Sequence, residues 1–449
     1  MSTANLSPGS RPARAHSPKG EGGWREYVRA IGPGLVTGAS DDDPSGIATY
    51  AQAGAKYGTS FLWVALVSFP LMAAVQEICD RSALATGLDL GELVSKRFNI
   101  IGRSVVTVML SVLIIANTLN ISADLVAIGS GMSLLHAGPT WLWALASGVL
   151  ITAAIIVGSY ARISQIFKIL CLALLVYIVV AVMVTHDWST VLWDTVIPHV
   201  EFNKAYVALF VAILGTTISP YLFFWQSANR LEDMRDEPEG GARPAPLSSR
   251  RASRATRKQR SSRIDVFSGM ALSNIVMYAI IASTAATLHA HHKLNIQSAA
   301  QAAQSLQPFA GRFSSEIFAL GFIGSGLLAV PVLAGSGSVG LSGLLGKEWG
   351  FSRSVREAPL FYALVAVGTL GGTALSLINV NPIKLLVFVA VIDGVIAAPL
   401  LVVVMRVTSN RELMGEYVNG RAAKFMGWLT AVIMAGASVA LFATGGISF

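Results

Sequence analysis

The chain has 449 residues, 53% hydrophobic and only 13% charged, with a mean hydropathy of +0.60; a soluble globular domain carries about 25% charge, so the composition excludes one and describes a polytopic membrane protein. The net charge of +8 does not mark a nucleic-acid binder, because the basic residues gather at the ends of apolar runs. Cys79 and Cys171 have no partner at metal-ligand spacing and read as small packing residues.

Residues 1–28 are rich in Ser, Pro, Arg and Gly without an apolar run, and read as a disordered cytoplasmic tail rather than a signal peptide. Runs of about 20 apolar residues then predict eleven spans: 29–57 (interrupted), 59–78, 103–133, 140–159, 163–184, 204–229 (interrupted), 264–289, 315–345, 357–378, 382–405 and 423–443. They make 29–443 a single all-α transmembrane domain, with one repeat over about 29–184, a second over about 204–405 and an extra helix over 423–443. With the N-terminus in the cytoplasm, every Lys and Arg except Lys56, Lys204, Lys293, Arg312 and Lys384 falls on the cytoplasmic side. An odd span count puts the C-terminus outside; the membrane is expected to be a bacterial inner membrane. The basic stretch 230–263, with "RPAPLSSRRASRATRKQRSSR", is read as a solvated cytoplasmic loop that sets topology, against an anionic-lipid or nucleic-acid patch.

Two of the spans are interrupted near their middles, at Pro44 in "SDDDPSG" and at Pro220 in "GTTISPYLFFWQ". Proline removes a helix hydrogen bond and clashes with the preceding turn, so each span splits into half-helices. The breaks lie five spans apart, and because five is odd the second set of five enters the membrane the other way up. This is an inverted repeat with discontinuous helices, whose ligand site sits near the midplane between the breaks. Asp41, Asp42 and Asp43 lie at the first break. One charge at that depth costs roughly 2.5–3.5 kcal/mol, so three neighbouring carboxylates call for cations or water. They cannot all face one small site. Asp43, next to the break, is expected to face the substrate, and Asp41 and Asp42 to line the exit or cap the half-helix. Carboxylate and carbonyl oxygens suit hard divalent cations.

At this point the residues match a known pattern. "DDPSGIATYAQAGAKYGTSFLW" resembles the first helix of the Nramp family of divalent-metal transporters, where Asp-Pro-Gly-Asn precedes a similar run ending Gln-Ala-Gly-Ala. "GTTISPYLFFWQ" is similar to that family's sixth-helix motif, in which Met-Pro-His takes the place of Ser219-Pro220-Tyr221. "SADLVA" and "AGSGSVGLSGLLG" are supporting matches, and the likeness covers about residues 29–405. The resemblance implies a LeuT-like inverted repeat (5+5) and a transporter, not an enzyme, with a divalent metal ion as substrate, the lipid bilayer as surroundings and no cofactor. It implies that Asp43 is the metal-binding aspartate and that Thr216 offers a backbone carbonyl. Gly46 stands where the family has a metal-binding asparagine, Ser219 replaces the methionine and Tyr221 replaces the histidine. Asp124 fits the third-helix aspartate of the proton route, but Ala127 replaces the glutamate one turn on. Loss of a soft sulfur and of an amide ligand favours magnesium, which keeps several waters, or manganese. The sequence therefore looks most like the Nramp-related magnesium transporter branch.

Asp393, deep in the tenth span, either approaches the site as a direct or water-mediated ligand or makes a helix–helix hydrogen bond. Asn274 reads as interhelical glue, Lys384 as a snorkelling side chain, the histidines of "LHAHHK" as solvated rather than metal-binding, and Glu77 as an ion-pair partner of Arg81. A sodium-coupled amino-acid symporter on the same scaffold is disfavoured, since the aspartate triplet repels a substrate carboxylate. A membrane enzyme lacks an intramembrane histidine for either H-E-x-x-H or a serine–histidine pair. The ninth span, "LFYALVAVGTLGGTALSLI", has no ionisable residue except Tyr362; uniport driven by membrane potential is expected, with a proton-coupled manganese or iron symporter as the alternative.

Overall fold

Proline decides where the first span stops being a helix. In the computed structural model, α1 (Pro33–Asp41) ends before Asp42 and Asp43, and α2 (Pro44–Tyr57) starts on Pro44, where a missing N–H breaks no helix bond. Asp43 caps α2 by accepting the Gly46 N–H. The structure describes residues 32–158, 174–237, 239, 243–303, 314–378 and 381–445, and there it is all-helical.

In chain order follow α3 (Trp63–Thr86), closed by Gly87 in the left-handed conformation (φ 68°), and α4 (Leu90–Arg97), opened by a capping box between Asp89 and Glu92. α5 (Ile100–Leu134) and α6 (Thr140–Val157) match the third and fourth expected spans. The fifth is described only as α7 (Leu175–Val184), which turns by 117° into α8 (Trp188–Val196); Cys171 and the start of that span lie outside the described residues. The second break repeats the first: α9 (Lys204–Thr217) stops at Ile218, and α10 (Pro220–Arg235) begins on Pro220.

Then come α11 (Ala252–Thr284), which passes into a π-helical turn at Ala285–His289, α12 (Ala299–Ala303), α13 (Ser314–Leu344), α14 (Pro359–Ser376), α15 (Pro382–Thr408), α16 (Arg411–Met414) and α17 (Arg421–Ala443). Among the described residues nine helical spans are long and apolar enough to cross a membrane, ten if α7 and α8 count as one. The first expected span escapes that count because every 18-residue stretch across its two halves carries Asp41, Asp42 and Asp43.

Two expectations change. α3 runs to Thr86 rather than 78. The stretch 230–263 is not an open loop: α10 continues to Arg235 and α11 already starts at Ala252. Ion pairs supply what hydrophobicity does not, since Lys258 reaches Asp233 (2.8 Å) and Glu237, and Arg250 reaches Glu237 (2.5 Å).

Small residues let the spans touch backbone to backbone. α1 lies on α11 so closely that a Cβ at Gly38 would stand 2.1 Å from the Gly269 carbonyl oxygen, and one at Gly215 of α9 the same distance from that of Ala390 in α15. The break between α1 and α2 is thereby held among α5, α9, α10, α11 and α15.

Candidate functional site

Asp41, Asp42, Asp43, Asp124 and Asp393 are each at most 1% exposed. Among the described residues none of the five forms an ion pair with Lys, Arg or His. Five such groups in a low-dielectric interior must hold protons or draw cations.

Asp43 is shaped by its own helix start. Its Oδ1 accepts the Ser45 hydroxyl (2.5 Å) and the Gly46 N–H (2.8 Å). Its Oδ2 faces Tyr221 Oη and Asn120 Nδ2, each at 3.5 Å. Tyr221 is fixed by donating to the Ser40 carbonyl at 3.1 Å. Asp393, from α15, enters through Asn120, whose Nδ2 donates to its Oδ2 at 3.1 Å.

Asp41 belongs to a second group. It accepts the Ser219 hydroxyl at 3.2 Å and the Ser273 hydroxyl at 3.0 Å. Ser219 Oγ also lies 3.0 Å from the carbonyl oxygens of Gly215 and Thr216. One hydroxyl proton cannot serve three acceptors at once, so oxygen lone pairs are left over where the sixth span breaks. Ser219 and Thr216 therefore join Asp41 rather than Asp43, while Tyr221, Gly46 and Asp393 converge on Asp43. Asp42 and Asp124 keep both carboxylate oxygens without a hydrogen-bond partner, and Asp393 keeps one. No three His, Cys, Asp or Glu among the described residues converge closely enough to hold one ion directly. Any cation here would be completed by hydroxyl, carbonyl or water oxygens.

Asn120 and Ser273 were not singled out from the sequence. Asn120 precedes Asp124 by one helical turn, and that same-face polar pair in an apolar span was the available signal. Ser273 adjoins Asn274, which instead donates to Ser68 Oγ across helices at 3.0 Å, the expected glue. Glu77 pairs with Arg81 as expected, and also with Arg263, at 3.2 Å each. His289 and His291 bond to the carbonyls of Ala55 and Thr287.

At the end of the bundle that carries the basic loops, one guanidinium ties helices together. Arg230 bonds Asp80 (2.6 Å) on α3, Asp265 (2.9 Å) on α11 and Asp233 (3.2 Å). Asp265 in turn accepts N–H bonds from Gly32, Gly34 and Leu35 at the start of α1 (2.8, 2.8 and 3.3 Å). Gln226 and Ser262 also donate to Asp80. Toward the opposite end, a cavity of about 350 Å³ lies between α2, α9, α15 and residues 295–297, and reaches Val391, two residues from Asp393.

Comparison with known proteins gives the family and the fold. The family model described as natural resistance-associated macrophage protein-like, Nramp, matches residues 34–444. The chain belongs to the Nramp family. Among its relatives are proteins named divalent metal cation transporter MntH: that of Granulibacter bethesdensis is 24% identical, covering 93% of this chain and 89% of the relative, and that of Verminephrobacter eiseniae is 27% identical, covering 86% and 83%. The fold is similar to a crystal structure of the Eremococcus coleocola manganese transporter, with TM-score 0.73 at 16% identity over 95% of this chain and 89% of that one. It is also similar to Mhp1, a nucleobase-cation-symport-1 family transporter, with TM-score 0.53 at 13% identity over 92% and 93%. This Nramp chain is thus an integral membrane protein of the divalent-metal transporter type. At its second break the Ser219 hydroxyl meets the Asp41 carboxylate.

Proposed function

We propose that the protein imports oxygen-loving divalent cations, magnesium or manganese, by alternating access about the two breaks, and that it belongs with the magnesium-transporting branch of its family. The observation that carries this reading is the chemistry of the donors at the two breaks: Asp43 with Tyr221, and beside it Asp41 with Ser219 and the Thr216 carbonyl, present only oxygen. Hard oxygens suit magnesium and manganese, and magnesium keeps several of its waters in such a site. The basic end faces the cytoplasm, by the positive-inside rule, with the C-terminus outside. In that orientation the cavity at Val391 opens outward and the Arg230 network is the closed inner door.

The driving force proposed is the membrane potential, which supplies about 4.6 kcal/mol per 100 mV to a doubly charged ion. A proton chain would have to cross α14, whose Tyr362 hydroxyl is engaged with the Arg353 carbonyl (2.8 Å). One observation favours the proton-coupled alternative: Asp124 is buried with both oxygens unpartnered, as a proton carrier would be. Proteoliposomes loaded with a pH dye decide between them. Magnesium or manganese uptake that follows the imposed potential without acidification supports uniport. Acidification that accompanies metal and vanishes in Asp124→Ala supports coupling. Absence of any divalent uptake defeats both.

A further inference from the structure

Asn120 stands between two carboxylates that come from different repeats. Its Nδ2 lies 3.1 Å from Asp393 Oδ2 and 3.5 Å from Asp43 Oδ2, so one amide group holds both jaws. Its other end, Oδ1, is buried and has no partner. One turn further along the same face, Asp124 presents two more buried oxygens with no partner. A buried carbonyl and a buried carboxylate left unmatched beside two acidic groups are an unfilled demand for positive charge.

Among the described residues, the amide is the neutral donor that both acids share. Its NH2 and C=O ends are nearly the same size, and a half-turn about the last side-chain bond exchanges them. With NH2 toward the carboxylates it offsets their repulsion in the absence of an ion. With C=O toward them it would add a third acceptor and be tolerated only with a cation between. The spacing fits one: the two Asp oxygens can be no farther apart than those two contacts laid end to end. A cation bound directly to one carboxylate at roughly 2.1 Å and to the other through a water at about 4 Å spans that gap.

We propose that Asn120 is the occupancy switch of the cation site: it clamps Asp43 and Asp393 together when no ion is bound, and turns its carbonyl onto an oxygen-loving divalent cation held between them. This rests on the reading of the protein as a divalent-cation transporter, and it adds Asp393 as a carboxylate ligand facing Asp43, direct or through one water.

The test uses full-length protein in liposomes, with Mn2+ as the probe. Asp393→Asn and Asn120→Leu should each raise KM for Mn2+ by about 10- to 100-fold, the range seen when groups that orient a metal's ligands are removed. Asn120→Asp supplies a third fixed negative charge and should tighten Mn2+ binding by at least about tenfold while lowering kcat, because the ion leaves slowly. A purely structural asparagine would not give that gain in affinity. Unchanged or weakened Mn2+ affinity in Asn120→Asp overturns the switch, and a wild-type KM in Asp393→Asn overturns the second ligand. If the unmodified protein moves no divalent ion, the functional reading itself has failed, a distinct result. Should the loss variants not fold, anomalous diffraction from Mn2+-loaded wild-type crystals decides: a peak beside Asp393 and Asn120 supports the proposal, and one beyond water-bridged reach of both sinks it.

Discussion

Two sets of buried carboxylates lie in this bundle and are treated in opposite ways. Near the basic end, Asp80 and Asp265 are 2% exposed and both bonded to one guanidinium, Arg230. At the first helix break, and on α5 and α15, Asp41, Asp42, Asp43, Asp124 and Asp393 are as deeply buried and touch only hydroxyls, amides or nothing. The residue type and the burial are the same; the difference is whether the chain supplies the counter-charge. Where it does, the group is complete and works as a lock. Where it does not, the group must hold protons or draw a cation.

The comparison breaks first at Asp43. Asp43→Asn removes the charge that would face the ion, and Mg2+ or Mn2+ uptake into liposomes should fall to background while the protein still elutes as a folded species. Retained uptake would move the site toward Asp41 or Asp393. Next is the lock. Arg230→Met leaves Asp80 and Asp265 buried and unpaired, which should cost about 3–5 kcal/mol. The readout is thermal unfolding in detergent, and an unchanged midpoint would mean that the network is not holding the end closed.

A third change sharpens the comparison rather than breaking it. Ser219→Met with Gly46→Asn gives the oxygen-only site a soft sulfur, and should shift competition binding toward cadmium over magnesium by about tenfold. Ser219→Met alone should account for most of it, since a Cβ at Gly46 already meets the Asp41 carbonyl and the Tyr50 ring at 3.3 Å. A strong cadmium preference in the unmodified protein would sink the hard-site argument. The smallest effect belongs to a polar contact outside both groups. Asn274→Leu loses one interhelical bond to Ser68 and should destabilise by only about 0.6 kcal/mol in a double-mutant cycle with Ser68→Ala, with transport unaltered.

Much of the fold was legible because lipid leaves few solutions: long apolar runs must be helices, and Pro44 and Pro220 inside two of them mark the breaks. The helical ends of α10 and α11 were not legible, because Asp233, Glu237, Arg250 and Lys258 look like a solvated loop until the two helices stand side by side. In the site, the aspartates announced themselves by their cost. Which of them meets Ser219 depends on the backbone direction at Asp42, which has φ −88° and ψ 51° and belongs to neither helix. Asn120 and Ser273 stayed hidden for a related reason: an uncharged polar residue in a span has no fixed meaning until the helix's rotation is known.

Asp265 holds three backbone N–H groups, those of Gly32, Gly34 and Leu35, in hydrogen bonds. Any movement that swings the start of α1 away from α11 must hand those three hydrogens to solvent, where they are free to trade for deuterium. Each opening of that end therefore leaves an isotopic mark on one short peptide. The contact that ties α1 to α11 also keeps a tally of how often the two part, readable by mass in a protein that carries no label.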